Sequence, residues 1–229
     1  MRGLNTPIRT ITLQAPNTYT LSFDPSLSYR AGQSIQIQWP GDPKKRYYSL
    51  CSSPTEKNQM AITIKVDPSH TFAPILTKLK TGDPVQIEWP FGKFGLPDSL
   101  PQQLIFIAGG SGVTPFRSMI KYLVDTAASA DAWLFHSVKT PGDLLFKSDF
   151  SAWSQSRANL HYVPTVTRRE GTDWTLGTGR IGEALLKKHL ATLDGHFFLA
   201  GPPTFVSEME MLLKETLKII PENIRREQW

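Results

Sequence analysis

The stretch Gly109-Gly-Ser-Gly-Val-Thr-Pro115 sets glycines, two hydroxyls and a proline between the apolar run Gln103 to Ala108 and the apolar-periodic run Phe116 to Val124. The pattern predicts a buried parallel strand feeding a turn that opens a helix. Thr114 suits the N-cap and Pro115 the first helical position, where a missing donor costs nothing. A helix start of this kind is an anion site: its free N–H groups and positive dipole end face the loop, and Gly109, Gly110 and Gly112 let a phosphate come close to the backbone. The expected ligand is the pyrophosphate of a dinucleotide. The segment departs from Gly-x-Gly-x-x-Gly, because Gly110-Ser-Gly112-Val-Thr-Pro115 ends in proline. A tight turn without a ligand is the alternative.

Arg46-Tyr-Tyr48-Ser49 leads into Leu50-Cys-Ser-Ser-Pro54. On a strand, Arg46 and Tyr48 share one face, and Ser49 takes the other or is turned by an irregularity. An arginine grips phosphate with two donors, an aromatic ring stacks on a planar heterocycle, and a hydroxyl bonds a ring nitrogen. Those are the three needs of a flavin nucleotide, although an ordinary strand with a surface arginine has the same residues. A third segment, His196-Phe-Phe-Leu-Ala200, runs into Gly201-Pro202-Pro203 and a helix from about Thr204. It makes a second strand-to-helix turn at the ligand edge of the same sheet.

Two scaffolds must position these segments. Residues 1–100 read as short strands: Ile8 to Leu13, Tyr19 to Phe23, Ser34 to Trp39, Tyr47 to Leu50, Met60 to Val66 and Val85 to Trp89. Ile35-Gln-Ile37-Gln-Trp39 and Ile62-Thr-Ile64-Lys-Val66 alternate apolar with polar, as an antiparallel Greek-key β-barrel requires. One helical segment, about Thr71 to Leu79, interrupts it. Residues 101–229 alternate strands and helices: Leu104 to Ala108, Phe116 to Val124, Ala132 to Ser137, Phe146 to Trp153, Leu160 to Val166, Ile181 to His189, His196 to Leu199, Phe205 to Leu217 and a short terminal segment. That rhythm predicts a Rossmann-like parallel α/β domain, with ligands at the carboxyl ends of its strands.

Composition narrows the chemistry. At 229 residues, 40% hydrophobic and 20% charged, the chain has room for one large or two modest domains. The single cysteine, Cys51, excludes an intrachain disulfide and a cysteine-ligated iron–sulfur cluster within these residues, so electrons would need an organic carrier. His70, His136, His161, His189 and His196 show no metal-ligand spacing, and no nucleophile–base pair stands out, so no metal or hydrolytic centre is expected. The net charge of +5 is spread along the chain. Lys44-Lys45-Arg46 and Arg168-Arg169 are too short for a nucleic-acid groove and suit phosphate or an acidic partner, while Lys187-Lys188 and Arg225-Arg226 read as solvated surface. Met1 to Pro7 lacks a signal-peptide core, and no apolar run approaches the roughly 20 residues that span a bilayer. The cytoplasm is the expected location.

In order and spacing, the three segments together resemble the ferredoxin:NADP reductase superfamily of flavoprotein reductases over nearly the whole chain. The resemblance implies that residues 1–100 bind FAD and residues 101–229 bind NAD(P)H. By position, Arg46 matches the flavin-phosphate arginine, Tyr48 the residue against the isoalloxazine, and Ser49 the hydroxyl near N5. Gly109, Gly110, Gly112, Thr114 and Pro115 match the dinucleotide pyrophosphate loop, and Gly201 with Pro202 the second nucleotide turn. Thr167-Arg168 falls where NADP-preferring members hold the 2′-phosphate, with Lys139 nearby; a guanidinium suits a dianionic phosphate, so NADPH is expected over NADH. Trp229, in the ending Glu227-x-aromatic, matches a gate over the flavin that nicotinamide displaces, or else simply finishes the sheet. Two departures stand out. Ala200 replaces a cysteine usual beside the nicotinamide. Ser69-His-Thr-Phe-Ala-Pro74 meets the flavin-pyrophosphate pattern poorly, which leaves Thr71 and a helix N-terminus to do that work and leaves FMN or a loosely held flavin open.

The implied activity is hydride transfer from NADPH to FAD across a domain cleft, with Ser49 and Tyr48 at the reacting ring and Trp229 as its cover. Electrons would pass to an external acceptor such as a ferredoxin, flavodoxin or oxygenase component, and the basic charge is compatible with an acidic redox protein. A free-flavin reductase and a non-catalytic electron-transfer or regulatory subunit are the rival readings.

Overall fold

The computed structural model describes residues 3–24, 27–67, 73–168 and 174–228. Alternation of buried and half-buried residues, clearest over Ser34–Gln38, builds six antiparallel strands: β1 (Leu4–Ala15), β2 (Thr18–Phe23), β3 (Ser34–Gln38), β4 (Lys45–Ser49), β5 (Met60–Lys65) and β6 (Pro84–Phe91). Their order is β4-β3-β6-β1-β2-β5. The two outer strands meet through a bridge between Leu50 and Ile62 and a bond from Cys51 N to the Ala61 carbonyl at 2.8 Å, so the sheet closes on itself as a barrel. Ile8, Leu21, Ile35, Ile37, Ile62 and Ile87 fill its interior beside Trp39 and Phe23. Closure leaves little unpaired edge.

The helical segment expected over 71–79 is shorter than that. Its residues 71–72 lie outside the described residues, and α1 runs only from Ala73 to Leu76. Lys78 and Leu79 bond three residues back, to Ile75 and Leu76, which tightens the chain into turns before Gly82 at φ +94°. So short a helix has no stability of its own and takes its length from what it packs on.

The second half is β7 (Gln103–Gly109), α2 (Val113–Asp125), β8 (Asp131–Val138), α3 (Lys147–Ser156), β9 (Leu160–Val166), β10 (Gly177–Thr178), α4 (Glu183–His189), β11 (His196–Gly201), α5 (Pro203–Met211) and β12 (Ile224–Gln228). All strands are parallel, in the order β10-β9-β8-β7-β11-β12. β7 is buried at every position, as a central strand covered on both faces must be. The terminal segment, which carries no apolar alternation, is a strand along β11. Its charged residues are tolerated because it lies at the sheet edge.

Between the halves the core is continuous. Phe94, from the connection after the barrel, packs 6.0 Å from both Phe116 of α2 and Phe198 of β11. A Cβ on Gly32, at φ +96°, would lie 2.2 Å from the Met119 methyl, so the barrel and α2 approach as closely as glycine permits. Among the described residues no helix is long and apolar enough to cross a membrane.

Candidate active site

β7 lies between β8 and β11, so the chain winds out to one side from β7 and returns on the other. The turns after β7 and β11 flank that switch point, where a crevice opens at the carboxyl ends of the strands. The glycines there serve two ends. A Cβ on Gly112 would meet the Ala200 carbonyl oxygen at 2.2 Å, one on Gly109 the Phe205 ring at 2.8 Å, and one on Gly201 the Gly109 carbonyl oxygen at 3.0 Å. These three let the two turns pack back to back. Gly110 differs: its φ is +56°, and nothing lies within 4 Å of where a Cβ would stand.

Thr114 does not cap α2. Gly110–Gly112 coils into a tight turn that runs straight into the helix, so the helix starts at Val113, Gly112 takes the cap position, and Thr114 Oγ1 donates back to the Ser111 carbonyl at 2.7 Å. Pro115 becomes the third helical residue rather than the first. It still falls within the first turn, where a missing donor breaks no helical bond.

His136, fully buried on β8, reaches under this turn with Nε2 2.9 Å from the Gly110 carbonyl oxygen. Burial pushes its pKa down to about 4, so the ring is neutral at physiological pH. Because a carbonyl only accepts, Nε2 carries the proton. Sequence reading missed this residue, having tested the histidines only for metal spacing.

Facing the turn across the cleft is the end of β4. Tyr48 packs edge-on against Trp39 at 5.8 Å, and burial raises its pKa to about 12. Arg46 forms an ion pair with buried Asp42. Ser49 Oγ donates to Glu227 Oε2 at 2.9 Å, and Ser34 Oγ to Glu227 Oε1 at 3.4 Å. β12 thus brings a carboxyl from the far end of the chain against Ser49. Burial raises the pKa of Glu227, with the two hydroxyls opposing. The only sequence signal for Glu227 was the Glu-x-aromatic ending, in which it was given no role of its own.

A cavity of about 690 Å³ joins these pieces; its walls include Ser34, Tyr47, Tyr48 and Ser49 from the barrel, Ser111 and Thr114 from the α2 turn, and Glu227 and Gln228 from β12. Lys139, Thr167 and Arg168 follow the ends of β8 and β9 and are exposed. Backbone bonds bring them together: Thr167 N to the Val138 carbonyl at 3.0 Å and Arg168 N to the Lys139 carbonyl at 2.8 Å. Pro202 stands at the start of α5, its carbonyl accepting from Val206 N at 3.0 Å. Thr71, with the rest of 68–72, and Trp229 lie outside the described residues.

A closed barrel and a doubly wound sheet that share one cleft have the architecture of a protein that holds two nucleotides face to face. Residues 8–95 match the family model of the oxidoreductase FAD-binding domain, and residues 106–210 that of the oxidoreductase NAD-binding domain. The chain belongs to the oxidoreductases that join an FAD-binding domain to an NAD-binding domain, and it has the fold of a ferredoxin NADP+ reductase from Neisseria gonorrhoeae, with a TM-score of 0.82 at 22% identity over 100% of this chain and 99% of that one. Among curated relatives it is 31% identical over 201 residues to the phenol hydroxylase P5 protein of Acinetobacter pittii (strain PHEA-2), covering 86% of this chain and 57% of that one. It is 28% identical over 182 residues to the terephthalate 1,2-dioxygenase reductase component 1 of Comamonas sp, covering 79% and 54%. The chain therefore spans a little over half the length of these relatives. The Amycolatopsis cytochrome P450 reductase GcoB has the same fold, with a TM-score of 0.89 at 23% identity over 99% of this chain and 69% of that one.

Proposed function

We propose that this chain takes a hydride from NADPH in preference to NADH, delivers it to bound FAD, and passes the electrons to an external acceptor, an oxygenase component or an acidic redox protein. The observation that carries the reading is the single cavity in which Ser49 and Glu227 face the Ser111–Thr114 turn. The reductase name of the terephthalate dioxygenase relative supports an oxygenase component as acceptor, and the net charge of +5 suits an acidic surface on it. Residues 1–100 hold the flavin and residues 101–229 the dinucleotide.

The donor set fits both nucleotides. Aromatic rings and hydroxyls line the barrel wall of the cavity and the Glu227 carboxyl meets them from β12, while the open space over Gly110 before α2 fits a pyrophosphate. FAD, when bound, accepts the hydride and releases its electrons to the acceptor. Arg46 holds the flavin phosphate, Tyr48 packs against the ring system, and Thr71 assists at the adenylate half. The turn from Gly109 to Pro115, with Gly201 and Pro202 beside it, receives the dinucleotide pyrophosphate. Lys139, Thr167 and Arg168 read the 2′-phosphate, and Trp229 covers the ring face until nicotinamide enters. Ser49 Oγ already donates to Glu227, which leaves its lone pairs to accept a hydrogen bond at the flavin edge. Glu227, inclined by burial to hold a proton, supplies or receives one through Ser49.

The visible spectrum of the desalted protein, followed by anaerobic addition of NADPH and NADH separately, tests the reading. A retained flavin band that bleaches faster with NADPH is expected. A colourless protein that oxidises NADPH only with added flavin would make flavin a substrate instead. Arg168→Ala should raise the KM for NADPH about tenfold or more and leave that for NADH unchanged.

A further inference from the structure

The two nucleotide ends of the cleft belong to different halves of the chain. The turn before α2 brings Ser111, and the first turn of α2 brings Thr114, into the cavity, and β4 leaves the cavity at Ser49. Arg117 of α2 joins them. Its Nη1 donates to the Cys51 carbonyl at 2.8 Å and to Glu56 Oε2 at 3.2 Å, and its Nε donates to Asp149 Oδ2 at 2.8 Å. The guanidinium lies 5.3 Å from the centre of the Phe146 ring and 5.7 Å from that of Trp153. Glu56 Oε2 accepts from Ser53 N at 2.6 Å, which ties the acid to the same barrel loop. Beside it Ser118 Oγ donates to the Ser52 carbonyl, with both residues fully buried.

Arg117 stands three residues past Thr114, about 4.5 Å along the helix. Cys51 stands two residues past Ser49, at most about 7 Å of chain. The bond between them is thus within one turn of the dinucleotide end and two residues of the flavin end, and the Arg117 side chain is only 15% exposed.

Resting on the function proposed above, we infer that Arg117 is a positioning residue: by pinning the Cys51 carbonyl to α2 it sets the separation between Ser49 and the dinucleotide turn. It acts through the backbone and touches neither nucleotide. Reacting atoms must approach to about 3–3.5 Å, and a misplacement of about 1 Å costs on the order of 100-fold in rate. A residue that fixes this separation therefore acts on the rate of transfer and leaves the binding of each nucleotide intact. An ion pair serving stability alone would not divide the two.

The test uses the full chain with Arg117→Gln and Arg117→Lys. With FAD bound, Arg117→Gln should slow flavin reduction at saturating NADPH by about 10- to 100-fold, while flavin content and the Kd for NADP⁺ stay within about twofold. Arg117→Lys, keeping the charge and losing the fork that spans Cys51 and Asp149, should recover part of the rate. A second readout needs no cofactor. Spin labels on cysteines introduced at Lys78 and Lys188, exposed positions on opposite halves, should give a broader distance distribution in Arg117→Gln; Cys51 is buried and stays unlabelled. A native rate with an unbroadened distribution overturns the inference, as do equal losses of rate and binding. If Arg117→Gln does not fold, Arg117→Lys carries both measurements, and native values in it overturn the inference. Failure of either dinucleotide to reduce the unmutated protein would defeat the functional reading, and the distance distributions would still decide whether Arg117 holds the seam.

Discussion

Glu227 is a carboxyl taken out of water and given two hydroxyls, Ser49 and Ser34, in exchange. Burial outweighs them, so the folded chain holds the proton at a higher pH than the unfolded chain does. The stability linked to Glu227 is therefore full below the ordinary carboxylate range and is lost as pH rises through the raised value. Thermal midpoints of Glu227→Gln should gain on those of the native protein as pH rises from about 4.5. His136 has the opposite sign. The unfolded chain takes up its proton near pH 6.5 and the folded chain only near 4, so stability is full above 6.5 and falls by on the order of 3 kcal/mol as pH drops to 4. Urea unfolding at pH 7 and pH 5 should show His136→Gln losing less than the native protein. Ser49→Ala should slow flavin reduction by about tenfold or more in stopped flow with NADPH affinity unchanged. These residues differ in how legible they were. Ser49 stood in a recognisable run, whereas Glu227 and His136 matter through partners at Ser49 and Gly110, which are far away in sequence.

At the scale of elements, strands and helices with a periodic apolar face were plain in the sequence, and those without one were not. β10 is two residues long and β12 is Ile-Arg-Arg-Glu-Gln; each exists because a neighbouring strand offers a ladder. Thr114 misled because a hydroxyl before a helix reads as a cap, and the sequence did not show that Gly110–Gly112 was already coiled. The glycines of that turn can be separated by experiment. Gly112→Ala puts a methyl group against the Ala200 carbonyl and should cost about 1–3 kcal/mol in thermal or urea unfolding. Gly110→Ala meets no atom and should cost only the about 1–2 kcal/mol of a left-handed residue, yet weaken dinucleotide binding more than Gly112→Ala does when titrations are compared at equal folded fraction.

For the whole molecule, the change from alternating strands to strands with helices gave away the two halves and their order. It said nothing of how they join, because Phe94, Met119 and Arg117 read as ordinary core and surface until the halves are packed. A continuous core makes the halves cooperative. Calorimetry should show one transition for the native chain, and Phe94→Ala, which empties the space between Phe116 and Phe198, should lower stability by about 3–5 kcal/mol and split the transition.

β12 also bears on the chain's birth. A chain made from its first residue onward can close the barrel and lay down β7 and α2 early, but the acid beside Ser49 arrives 178 residues later, on a strand that must slide in along β11. Until residue 227 has been synthesised, a nascent chain has the barrel, β7 and α2 but lacks the β12 wall of the cleft, so the cavity takes its final shape only once that strand has docked.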